Sequence, residues 1–190
     1  MPFTLVPVNT ATGAYYPWVA PVSCPTPAAP VPPPPPPPSP QQVVEQVAFP
    51  QPALALDPAG IGVVQLPTWF WLRNDGAGDV FTVGPVGVGG YTVLLTARPV
   101  AYYWSFGDGS TAVSRTAGGP GSAASASVVH TYRRKGVYTV GVSVAWAGSY
   151  TFAGHGLRQT ASLGPVRQGE AYRSYTVQEI RSVLTREGPA

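Results

Sequence analysis

The chain has 190 residues, 44% of them apolar and only 10% charged, with 24 prolines and 22 glycines; charge this sparse, against roughly 25% in ordinary soluble domains, marks a turn-rich chain of one domain with a tail. Eleven basic residues against eight acidic ones give a net charge of +3, and the arginines are scattered rather than gathered on one face, which argues against a nucleic-acid partner. The lone Cys24 excludes an internal disulfide and a cysteine-based zinc site, and no apolar run approaches the ~20 residues that span a bilayer. Met1-Pro2-Phe3-Thr4-Leu5-Val6-Pro7 lacks the basic start and unbroken apolar core of a secretory leader.

Residues 1–24 read as an irregular segment whose dense spot is Tyr15-Tyr16-Pro17-Trp18. Residues 25–40 form a proline-rich spacer; its unbroken run, 32–38, should hold a polyproline II rod of about 22 Å. It serves either as a stiff spacer or as a ligand for an aromatic-lined groove on a partner. Residues 41–59 read as a short helix and connector. Ser39 can cap, Pro40 suits the first helical position, Gln42 completes a capping box, and Pro50 stops the helix. So short a helix is marginal alone, so Val43, Val44 and Val47 must pack on the following domain or on a neighbouring subunit.

From residue 60 to 186 short β-type runs alternate with glycine or proline, the pattern of an all-β sandwich. The predicted strands are 61–66, 69–73, 80–83, 91–97, 102–106, 127–132, 137–147, 150–153, 161–164 and 175–184. The last could open as a helix at Thr176-Val177-Gln178-Glu179, but its β-branched content favours a strand. On a strand Trp104 and Phe106 share one face, and Gly107-Asp108-Gly109 supplies a tight turn. Tyr138, Val140, Val142 and Val144 form an inward row, expected across the sandwich from Trp104, with Trp104 against Val140 holding the sheets together. Tyr138, two residues before Val140, has the spacing of a tyrosine corner, its hydroxyl tied back to the preceding loop.

These residues carry a family resemblance. Trp104, Phe106, Gly107, Asp108 and Gly109, then His130, Tyr132, Gly136, Tyr138, Val140 and Val142, resemble the signature of the polycystic-kidney-disease (PKD) domain, over about residues 60–150. The flanks, with the proline-rich stretch, Leu66-Pro67-Thr68-Trp69 and a strand near 177–185, resemble those of secreted actinobacterial PKD-domain proteins of unknown function. The resemblance implies an immunoglobulin-like (PKD-type) β-sandwich behind a proline-rich, largely irregular arm with one short helix. It also implies a secreted or cell-surface location and a role in binding or spacing rather than catalysis.

The chemistry-bearing residues agree with that expectation. His130 belongs to the signature, where bonding to nearby backbone is the plain role, and His155 sits in an exposed Gly-His-Gly turn. The glycine-x-serine-x-glycine and HExxH motifs are both missing, so no enzyme is expected. No cofactor is expected either, although residues 74–79 (Asn-Asp-Gly-Ala-Gly-Asp) group oxygens that could help hold calcium. The possible binding surface is Trp69 and Trp71, which share a strand face opposite Phe70 and Leu72, together with the basic cluster Arg133-Arg134-Lys135. The leading expectation is a noncatalytic interaction module that binds a protein or a cell-surface glycan, or copies of itself. One alternative is a self-assembling subunit of a surface appendage or layer, joined through the N-terminal arm. Another is the accessory binding domain of a secreted polymer-degrading enzyme.

Overall fold

A computed structural model describes residues 8–13, 32–73, 80–120 and 128–181. The chain divides into two compact units, Met1–Pro34 and Pro35–Ala190. In the first, residues 8–13 make a turn in which the Asn9 carbonyl accepts from Gly13 N and the Asn9 side chain from Ala11 N.

The second unit opens with helix α1, Pro40–Gln46, and its N-terminus is built as its sequence dictates. Ser39 Oγ accepts from the Gln42 amide at 3.3 Å while Gln42 Oε1 accepts from the Ser39 amide at 2.8 Å, closing the capping box. Nine strands follow: β1 Leu54–Asp57, β2 Ile61–Val63, β3 Pro67–Leu72, β4 Phe81–Val88, β5 Tyr91–Ser105, β6 Thr111–Ser114, β7 Val128–Thr131, β8 Gly136–Gly154 and β9 Leu157–Gln178. They form a three-stranded sheet in the order β1-β3-β7 and a larger one in the order β2-β9-β8-β5-β4, with β6 also paired to β5. All pairs are antiparallel except β2 with β9. The architecture is the expected all-β, immunoglobulin-like sandwich with one short helix in the arm before it.

Long strands stay amphipathic here only because bulges correct their parity. On β5 the buried positions are Tyr91, Val93, Leu95 and Ala97, then Tyr102 and Trp104. The switch from odd to even falls at the register shift between Pro99 and Ala101, where one extra residue is inserted opposite β8. Two further shifts on β9, around Gly169 and Gly164-Pro165, do the same against β8. The sequence punctuation that suggested strand ends therefore marks bulges instead. The expected strands 91–97 and 102–106 are one strand, 137–147 and 150–153 are one, and 161–164 runs on into the strand expected from 175. Strands β1 and β6, four residues each, carried too little pattern to be read. The strand reading of the last segment holds to Gln178; residues 182–190 lie outside the described residues.

Trp104 and Val140 do not face each other across the sandwich. Strands β5 and β8 are neighbours in the same sheet, with Trp104 paired in register to Val142. The opposing layer is β1-β3-β7, which contributes Leu56 and Phe70; the Phe70 ring lies 5.2 Å from that of Phe106. Alternation reveals which face is inward but not which sheet a strand joins, and that is why the pairing was misplaced.

The buried cluster continues along the large sheet to Tyr91, Val93, Leu95, Tyr150 and Phe152. Val43, Val47 and Phe49 are buried in it, and the Phe49 ring stands 5.8 Å from Trp146. The Tyr91 hydroxyl donates to the Pro35 carbonyl at 2.7 Å, and the Tyr150 hydroxyl to the Pro38 carbonyl at 2.9 Å.

Candidate functional site

The turn that ends β5 is fixed by two different constraints. Gly107 (φ +83°) and Gly109 (φ +91°) both lie in the backbone region that disfavours side chains, but only Gly107 is also pressed against a neighbour: a Cβ there would stand 2.7 Å from the Thr139 carbonyl oxygen. Between them Asp108 uses both carboxylate oxygens. Oδ1 accepts from the Ser110 amide at 2.9 Å and Oδ2 meets His130 Nε2 at 2.8 Å. Burial pushes this carboxyl up, but the Ser110 amide and the His130 ring outweigh it and hold the group below the usual carboxylate range.

His130 is thus bonded to the Asp108 side chain, not to nearby backbone as expected. Its ring lies flat on Phe106, with centroids 4.2 Å apart and planes 5° apart, and meets Tyr132 edge-on. Tyr132 is fully buried, donates to the Phe106 carbonyl at 3.0 Å and stacks on Tyr138. Burial, and then the charge of Asp108, drives its hydroxyl far above the ordinary phenol range. Tyr138 donates in turn to the Arg134 carbonyl at 2.7 Å, the tie expected of a tyrosine corner. The residues between Trp104 and Tyr138 that carry the signature form one hydrogen-bonded and stacked column, which pins the loop bearing Arg133, Arg134 and Lys135.

Beside this column opens a cleft of about 800 Å³, lined by Asp108, His130, Thr131, Arg133, Arg134 and Tyr138 among others. Among the described residues neither guanidinium is engaged in an ion pair. Two such forks beside a carboxylate already committed to His130 can grip an incoming carboxylate or sulfate through paired, charge-assisted hydrogen bonds. The Asp108–His130 pair has the geometry of a base and its orienter, but among the described residues no hydroxyl is hydrogen-bonded to His130.

Lys135 lies outside the cleft, on a shallower surface with Val137 and Gln178. Trp69 and Trp71 are half-buried on the outer face of β3, opposite the buried Phe70 and Leu72. Trp69 is the cross-strand partner of Val129, which lines the cleft, so the tryptophan face adjoins it. Residues 74–79, the candidate calcium loop, lie outside the described residues; among those described, no three acidic, histidine or cysteine side chains gather around a common point. No helix among the described residues is long and apolar enough to cross a membrane.

A second feature escaped sequence reading. On the outer face of the large sheet the Arg167 guanidinium sits 3.4 Å over the Tyr103 ring, and Tyr172, paired in register with Gly141, donates to Glu170 at 2.9 Å. The Tyr172 ring occupies the space that a Cβ on Gly141 would need, with Cδ1 at 2.7 Å from that position. The outward parity of Tyr103 and Gly141 was legible. Their partners were not, because residues 165–174 read as a connection rather than as part of β9.

Residues 62–151 match the PKD domain family model. The match runs from β2 into β8 and contains the whole Asp108–His130–Tyr138 column, which supports the resemblance on the residues that carry it. No curated protein matches the chain.

Proposed function

We propose that this chain is a noncatalytic extracellular interaction module whose PKD-type sandwich holds an acidic group of a surface glycan or protein between Arg133 and Arg134. PKD domains in general are extracellular modules of this kind. The observation that carries the reading is the cleft itself: two guanidiniums with no ion pair among the described residues, on a loop held by the Tyr138–Arg134 bond and the Asp108–His130 column. A recognition site gains from such rigidity because less ordering remains to be done on binding. Trp69 and Trp71, next to the cleft, would add an apolar face for the ring of a sugar or the side chains of a peptide.

Calorimetry against acidic and neutral polysaccharides tests this. An acidic glycan such as a polyuronate should bind, and Arg133→Ala with Arg134→Ala should weaken it about tenfold or more, since a charge-assisted hydrogen bond is worth more than a neutral one. Binding should also fade as salt is raised. Equal affinity for neutral polymers, unaffected by either arginine, would remove the cleft from the binding surface.

A further inference from the structure

The bonds between Tyr91, Tyr150 and the proline run have the geometry of a recognition site, not of ordinary loop packing. A polyproline II chain makes no internal hydrogen bonds, repeats every three residues and rises about 9 Å per turn, so the carbonyls of residues i and i+3 project from the same side with no partner of their own. Tyr91 donates to Pro35 and Tyr150 to Pro38, one full turn later. Both tyrosines are buried, and their rings sit with Phe152 in a continuous aromatic floor, Tyr91 edge-on to it at 5.5 Å and Tyr150 at 6.2 Å. Gly90 leaves room at one end, where the Pro35 ring comes within 3.5 Å of the position a Cβ would take. Aromatic walls with hydroxyl donors at the polyproline period are how proline-rich ligands are read.

The groove continues into a second socket. Directly after the prolines, Val43 within α1 and Val47, the extended residue at its C-cap, are both buried in the same core cluster. An occupant that fills the whole surface must therefore offer a polyproline turn followed by a short capped helix with one buried valine inside it and a second at its C-cap. A foreign proline-rich peptide supplies only the first part. Every copy of this chain supplies both, in residues 35–49, and that segment joins the strands through the short link 50–53.

We propose that this face is a bipartite receptor for residues 35–49 and that it accepts the segment from a second copy as well as from its own chain, giving arm-exchanged assemblies. Exchange of an identical element keeps each contact and changes only which chain supplies it, which makes it a low-cost route to association. The inference does not depend on the arginine cleft.

Gln42 and Gly87 line one shallow cleft between α1 and β4, so they report docking directly. In full-length chains carrying Cys24→Ser, one population would receive Gln42→Cys and another Gly87→Cys. After mixing, gentle warming, recooling and mild oxidation, a disulfide-linked dimer of one chain of each kind is expected. An excess of a peptide spanning residues 35–49 should suppress it, and Tyr91→Phe with Tyr150→Phe should speed its appearance roughly 10- to 30-fold by removing two hydrogen bonds from the resident segment. If no such dimer forms, while a control chain carrying both Gln42→Cys and Gly87→Cys links within itself, the segment never leaves its own sheet and the proposal falls. It falls equally if a seven-proline peptide suppresses the dimer as well as the longer one, because the surface then reads proline alone and a foreign chain would serve.

Discussion

Gly107 and Gly109 share a backbone conformation but not a neighbourhood, and this separates what the turn needs from what the packing needs. Alanine at 109 meets open space and pays only for its positive φ, so Gly109→Ala should cost roughly 1–2 kcal/mol. At 107 the added carbon also meets the Thr139 backbone, which cannot swing aside, and Gly107→Ala should cost roughly 3 kcal/mol or more. Urea denaturation of the two variants distinguishes the terms; equal losses would mean that the close approach to β8 is wrong. Asp108 gives the turn a pH dependence. Its folded pKa is depressed, so its contribution is complete above the unfolded value of 3.8 and is lost as pH falls through the lower folded value. The stability gap between the parent chain and Asp108→Asn should accordingly be widest near neutrality and close as the acid limb is descended; a gap that persists at the acid end would deny the carboxylate its role. The turn was legible because glycine and aspartate announce it locally. The partner of Asp108 was not, because His130 lies 22 residues on, a separation that no local pattern bridges.

At the scale of elements, local chemistry was readable and destination was not. Ser39, Pro40 and Gln42 specify where α1 starts whatever it packs on, and each sits where the cap requires. That Val43 and Val47 would join the core of the large sheet could not be read from a seven-residue helix, since that sheet is assembled from strands more than ten residues further on and mostly far beyond. The same holds for β5, β8 and β9, whose glycines and prolines stop a strand in sequence logic but only bulge it when both neighbours are already paired. The consequence is a sharp boundary within the arm. Removing residues 1–34 takes away a separate compact unit and should leave the melting temperature of the remainder within a few degrees. Removing residues 1–49 strips Val43, Val47 and Phe49 from the core and bares its aromatic floor; with about 2 kcal/mol for each fully buried side chain, it should cost most of the stability of a marginal domain. Differential scanning calorimetry of the two truncations, with dye binding to report exposed apolar surface, checks this; indistinguishable melting curves would show that residues 35–49 are decoration.

Across the whole molecule the question is whether the sandwich and the aromatic area under the arm segment melt together. Strands β5, β8 and β9 run unbroken through both, with hydrogen-bonded register on either side of every bulge, which argues for one cooperative unit. Buried phenols supply reporters in each part. Tyr132 and Tyr175 lie in the sandwich, Tyr150 lies under the proline segment, and Tyr102 lies on β5 between them; burial raises the pKa of all four above 10.0. A hydroxyl that keeps its proton longer when folded stabilises the native state fully below the unfolded pKa. As pH rises beyond 10.0 the unfolded chain sheds protons that the folded one retains, and stability falls until the folded groups ionise too. Alkaline unfolding should therefore begin above about pH 10, with phenolate absorbance from the buried tyrosines rising together with the loss of tryptophan near-ultraviolet dichroism. Tyr150→Phe and Tyr132→Phe let each part be followed separately, because each deletes one reporter while keeping its ring. A single transition in both variants is the expected result. Two transitions, with the Tyr150 reporter leading, would mean that the bulges uncouple the sheet and that its aromatic area melts ahead of the sandwich.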